Sequence, residues 1–130
     1  MAHHGIELIL MRQLASCLAM PIVISDAHGQ VIYVNEPAES IFGVRFESVQ
    51  SVADVRVAEM LHATDLDGKP LSSAELPLRY AIENRRPVHR KFRISSAEGV
   101  ARCVEGTAFP LVSQGGDHVG TVSLFWEAPE

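Results

Sequence analysis

The stretch Ile24-Ser25-Asp26-Ala27-His28-Gly29-Gln30-Val31-Ile32-Tyr33-Val34-Asn35-Glu36-Pro37-Ala38-Glu39, closing on Ile41-Phe42-Gly43, decides the fold. Ile22 to Ser25 and Gln30 to Val34 are rich in β-branched residues and flank Asp26-Ala27-His28-Gly29, so they read as strand, tight turn, strand. Gly29 supplies the positive φ that such a turn uses, and the Asp26 carboxylate is placed to accept backbone N–H bonds across it. Asn35 then reads as a helix N-cap, with Pro37 in the first turn and Gly43 just past the end of a short helix.

Upstream, Gly5 to Met20 contains no proline and places Ile6, Ile9, Leu10, Leu14 and Leu18 on one broad apolar face, with Arg12, Gln13 and Ser16 on the polar side. A helix this apolar must cover something, either its own domain or the same helix of a second chain. Downstream, a short helical piece is expected over Val57 to His62, and Asp67-Gly68-Lys69-Pro70 is a second turn. Ser72 and Glu75 have capping-box spacing ahead of a helix from Pro77 to Asn84. After Pro87 the period becomes two: Val88, Arg90, Phe92 and Ile94 alternate with His89, Lys91 and Arg93. Strands from Val100 to Leu111 and from Val119 to Glu127, joined through Gln114-Gly115-Gly116-Asp117, complete the chain. The order is two strands, helices, three strands.

With 130 residues and 47% hydrophobic content, the chain can bury a core without metal or disulfide staples. It has no apolar run near the roughly 20 residues of a membrane span and no signal-peptide pattern, so a soluble, cytoplasmic domain is expected. Cys17 and Cys103 are far apart and form no CxxC pair, which rules out a disulfide framework or a four-sulfur zinc site. The formal charge of −5 gives no general attraction to nucleic acid. His3 and His4 lie at the extreme N-terminus, after Met1 and Ala2, and are left out of any metal reading.

From about Leu18 to Trp126 the chain resembles the PAS domain family. The hairpin-to-helix string quoted above carries most of the resemblance. Asp67-Gly68-Lys69-Pro70-Leu71 through Glu75-Leu76-Pro77-Leu78 to Ala81-Ile82 is similar to the segment leading into the long helix of bacterial members. Val104-Glu105-Gly106-Thr107, Pro110-Leu111, Gly115-Gly116 and Val119-Gly120-Thr121-Val122 are similar to the closing hairpin. The resemblance implies an α+β fold: a five-stranded antiparallel sheet with helices on one face and an N-terminal amphipathic helix. Residues 1–20 would form that helix and 21–127 the PAS domain. It further implies a sensory or regulatory module in signal transduction, with an apolar pocket for a small apolar or amphipathic ligand, a homodimer as assembly, and no required cofactor. Expected pocket residues are Ile24, Tyr33, Phe42, Ile82, Arg90, Phe92 and Leu124; expected dimer residues are Ile6, Ile9, Leu10, Leu14 and Leu18. A ligand-free dimerisation or partner-docking module, and a haem sensor, stand as alternatives. Members that signal along the chain usually follow the last strand with an acidic-Thr motif and a helix. Trp126-Glu127-Ala128-Pro129-Glu130 lacks these, leaving an excised input domain and a stand-alone module both open, with an effector domain or partner protein as the output.

Candidate chemistry is sparse. Flavin photochemistry in the family needs a cysteine in an Asn-Cys-Arg-Phe-type string, and neither cysteine has that context. Haem needs an axial ligand, for which His62 and Tyr80 are the candidates. Asp65-Leu66-Asp67-Gly68 with Glu75 departs from calcium-loop spacing and reads as an ordinary turn. Arg85, Arg86, His89, Arg90, Lys91 and Arg93 form the one basic cluster, a solvated sheet face by its alternation, with Arg90 the exception in sharing parity with Phe92. Asp26, His28, Glu36 and Glu39 serve turns and caps, leaving no catalytic constellation, so no enzyme activity is expected.

Overall fold

A computed structural model describes residues 5–43, 61–95 and 99–129. Helix α1 spans Ile6–Cys17, strands β1 and β2 span Ile22–Asp26 and Val31–Val34, and helix α2 spans Glu36–Phe42. A single 3₁₀ turn at Ser73–Glu75 precedes α3 at Pro77–Asn84, and β3, β4 and β5 run over Val88–Ser95, Ala101–Val112 and His118–Glu127. The strands form one antiparallel sheet in the order β2-β1-β5-β4-β3, so β1 and β5 are central and meet although nearly a hundred residues separate them. No helix among the described residues is long and apolar enough to cross a membrane. Residues 57–60 of the expected helical piece lie outside the described residues.

Local chemistry accounts for the element ends. Asp26 Oδ1 accepts from the backbone N–H of His28 and Gln30, and Asp65 Oδ1 does the same from Asp67 and Lys69, so both Asp-x-x-Gly turns close alike. Ser72 donates through its backbone N–H and its hydroxyl to Glu75 Oε1, a capping box that holds only the 3₁₀ turn. The α3 helix starts afresh at Pro77, where the missing N–H costs nothing. The α1 helix stops at Cys17, three residues earlier than expected, because Leu18 adopts extended backbone that carries the chain into β1.

Asn35 joins three elements. Its Oδ1 accepts from Ala38 N–H, capping α2, and from Ile22 N–H at the start of β1. Its Nδ2 donates to the carbonyls of Ala15 and Met20, tying down the end of α1. The side chain is 2% exposed, so this one amide is a fully used buried junction.

Helices pack against both faces of the sheet. On the inner face, α2, α3 and the segment Leu61 to Leu71 enclose Val23, Val31, Val34, Phe92, Ile94, Val104 and Phe125. On the outer face, α1 sets Leu8, Ala15 and half-buried Met11 and Leu18 against Ile22, Ile24 and Val122. The contact is close because β5 offers Gly120 there: a Cβ at that position would stand 2.5 Å from Leu8 Cδ2 and 2.5 Å from the Ser25 carbonyl oxygen. Leu8 can swing aside but a carbonyl inside a ladder cannot. Gly120→Ala is therefore expected to destabilise the domain by about 2–3 kcal/mol, measured by urea unfolding; unchanged stability would contradict this packing.

Candidate functional site

Between the inner face and α2 and α3 lies a cavity of about 80 Å³. Val23, Val31 and Val34 line it from β1 and β2, Phe92 and Ile94 from β3, and Val104 and Gly106 from β4. Ser123 and Phe125 contribute from β5, and Phe42, Leu61 and the run from Leu76 to Arg79 line the side opposite the sheet. The lining is almost wholly apolar. Phe42 stacks on Phe125 with ring centroids 4.9 Å apart, which fixes one wall. The volume is well below the ~300–1,000 Å³ of ordinary ligand clefts, but above the ~10–15 Å³ that one water needs. It suits a guest of a few heavy atoms.

Strand parity separates the expected pocket residues. Phe42 and Phe92 line the cavity. Ile24, Tyr33 and Leu124 lie on the opposite face under α1, because Ile24 is in register with Tyr33 and Val122 while the cavity takes the alternate residues Val23, Ser123 and Phe125. Ile82 is buried on α3 away from the cavity lining. Arg90 shares the face of Phe92, as its parity demands, but sits half-exposed and donates from Nη1 to the Glu75 carbonyl instead of lining the cavity. The sequence reading missed Val23, Val31, Val34, Val104, Ser123 and Phe125. The six-residue run Pro21 to Asp26 is buried almost throughout, so alternation gave no sign of which parity faced inward.

Among the described residues, none that lines the cavity is of a type to ligate haem iron or to form a photochemical flavin adduct. The described lining contains no His, Cys or Tyr; His62 is exposed and Tyr80 lies off the cavity. Cys17 is exposed on α1, and buried Cys103 belongs to the outer-face parity of β4. Among the described residues no group of three or more His, Cys, Asp or Glu is placed to hold a metal. Asp65 is used by its turn, where the Lys69 N–H holds its carboxyl below the usual carboxylate range. Of the basic cluster, His89, Lys91 and Arg93 share the outer-face parity, and His89 pairs with Glu105 at 2.7 Å beside Trp126.

The helix α1 presents two apolar stripes. One is seated on the sheet. The other exposes Ile6 at 65%, Ile9 at 50%, Leu10 at 56% and Leu14 at 51%. Leu18, expected among them, packs on the outer-face core instead, since its extended backbone turns it off the helix axis.

Solved structures with the same architecture include the PAS domain of Bordetella pertussis BvgS, 18% identical, covering 95% of this chain and 87% of that one with a TM-score of 0.65. The PAS domain of the fruit-fly ELK potassium channel is 11% identical, covers 97% and 100%, and has a TM-score of 0.76. The LOV domain of a blue-light activated histidine kinase from Erythrobacter litoralis is 21% identical, covers 87% and 99%, and has a TM-score of 0.66. No curated protein matches the chain. The PAS domain family model matches residues 19–127, from the end of α1 through the last strand. With the sheet order, the Asn35-capped helix and the apolar inner cavity all in place over that span, the chain belongs to the PAS domain family.

Proposed function

We propose that this domain is a sensory or regulatory module without chemistry of its own, which self-associates through α1 and holds a small apolar or amphipathic ligand in the inner cavity. The exposed stripe of Ile6, Ile9, Leu10 and Leu14 carries the proposal. An uncharged apolar strip, on a helix already anchored by its other side, is costly to leave in water. A second copy of the same strip is its natural cover, because a twofold pairing sets identical patches against each other. Many PAS domains place an amphipathic helix before the first strand for such contacts. The double substitution Leu10→Glu/Leu14→Glu is expected to give a monomer by light scattering, with the helix content and melting temperature of the monomeric fold retained. A variant that remains dimeric would show that the contact lies elsewhere.

The modest cavity volume favours a second reading, in which the domain is a dimerisation or docking module with no ligand. Native mass spectrometry separates the two. A bound small molecule retained on the purified chain supports the sensor, and a bare chain unresponsive to a thermal-shift panel supports the docking module.

A further inference from the structure

Strand β3 forms one margin of the sheet, and its free side is only half occupied. Arg93 exchanges both of its main-chain bonds with Thr64, at 2.9 Å each, and Ser95 N–H donates to the Leu61 carbonyl at 2.7 Å. Main-chain groups alternate sides along a strand, so those of Lys91 and His89 point the same way as those of Arg93, away from β4. Among the described residues these four groups have no hydrogen-bond partner. The segment paired with Arg93 doubles back at Asp65, whose N–H donates to the Lys69 carbonyl, so it does not run on to Lys91. Charge gathers at the same place. Residues 84–95 hold Arg85, Arg86, Arg90, Lys91 and Arg93 and no Asp or Glu, in a chain whose formal net charge is −5. Arg90 is taken up by the Glu75 carbonyl, and Glu105, which stands across from Lys91, is taken up by His89 at 2.7 Å. Arg85 and Arg86 are exposed, and with Lys91 they form no ion pair among the described residues.

We propose that the open half of β3 is a docking edge for an acidic, extended peptide segment of a partner protein, which adds to the sheet as an antiparallel strand beside Val88 to Lys91. The N–H and C=O groups of His89 and Lys91 supply the main-chain bonds, an arrangement that fits another main chain and gives strand addition its affinity. Residues paired across two strands set their side chains on the same face, so the peptide residues bonded to His89 and Lys91 stand beside the imidazole and the ammonium. Acidic residues at those positions meet the unpaired charge of Lys91, with Arg85 and Arg86 adding to it at the entry to the strand. Basic residues there meet like charge. An edge lysine opposes pairing with a neutral or basic strand, and the same residue selects an acidic one. Thr64, seated on Arg93, sets where the added strand ends.

NMR titration of the full chain with two short capped peptides, one alternating Glu with Val and one alternating Lys with Val, tests this edge. The Glu peptide is expected to bind at least about tenfold more tightly than the Lys peptide, with the largest amide shifts at His89 and Lys91. N-methylation of its Glu residues removes the donors to β3 and keeps the charge; it is expected to weaken binding about tenfold. In Arg86→Gln/Lys91→Gln the preference for the Glu peptide is expected to shrink, with the melting temperature unchanged. Equal binding of the two peptides by the native chain, or shifts centred away from β3, overturns the docking edge. An N-methylated peptide that binds as well as its parent would show charge attraction without strand pairing, which also overturns it. So does a Glu peptide that fails to bind at about 1 mM.

Discussion

Asn35→Asp is expected to cost about 3–5 kcal/mol of stability. Aspartate keeps the acceptor facing Ile22 N–H and Ala38 N–H but replaces the amide donor by oxygen. The carbonyls of Ala15 and Met20 then face a second acceptor in a site that is 2% exposed. Either a carboxylate stays buried against two carbonyl dipoles, or a proton is held and only one of the two bonds is restored. Because both carbonyls belong to the end of α1 and the link to β1, amide exchange in α1 should accelerate before that of the sheet. Chemical denaturation with hydrogen exchange checks this; a loss under 1 kcal/mol would mean that α1 is held by its apolar stripe alone.

Phe125→Ala is expected to cost about 3–5 kcal/mol. The ring is 5% exposed, stacks on Phe42 and packs among Val23, Val31, Val34 and Ala38 on an otherwise regular strand that cannot collapse into the gap. The same change enlarges the cavity. Benzene at millimolar concentration should therefore raise the melting temperature of the variant more than that of the native chain, since an apolar void of adequate size stays dry and accepts an apolar guest. Equal shifts in both proteins would show that the space vacated by Phe125 is refilled by its neighbours.

Elements whose ends are set by local chemistry were legible in the sequence. Asn35 and Gly43 bracket α2 through a side-chain cap and a left-handed residue, each a short-range device. Pro77 and Asn84 bound α3 as read, and Val88 to Ser95 keeps its two-residue period because only one of its faces is deeply buried. What sequence could not assign was direction. The first strand is buried on both sides, since α1 covers one and the cavity helices the other, so Ile24 and Val23 look equivalent until the register with β5 is known. The α1 helix has the same ambiguity. It is apolar almost all round, and the stripe that docks is chosen by Gly120, a gap in a strand more than a hundred residues away. The serines of the inner face were passed over because a hydroxyl within a β-run is ordinary on a solvated face; only the fold shows Ser25 and Ser123 to be inside.

If the domain pairs through α1 as proposed, sedimentation equilibrium of the native chain will show it. Over roughly 1–200 μM, the range in which apolar helix pairing of micromolar strength is resolved, the fitted mass should rise to twice 14.2 kDa. A mass that stays at 14.2 kDa across the whole range would contradict it.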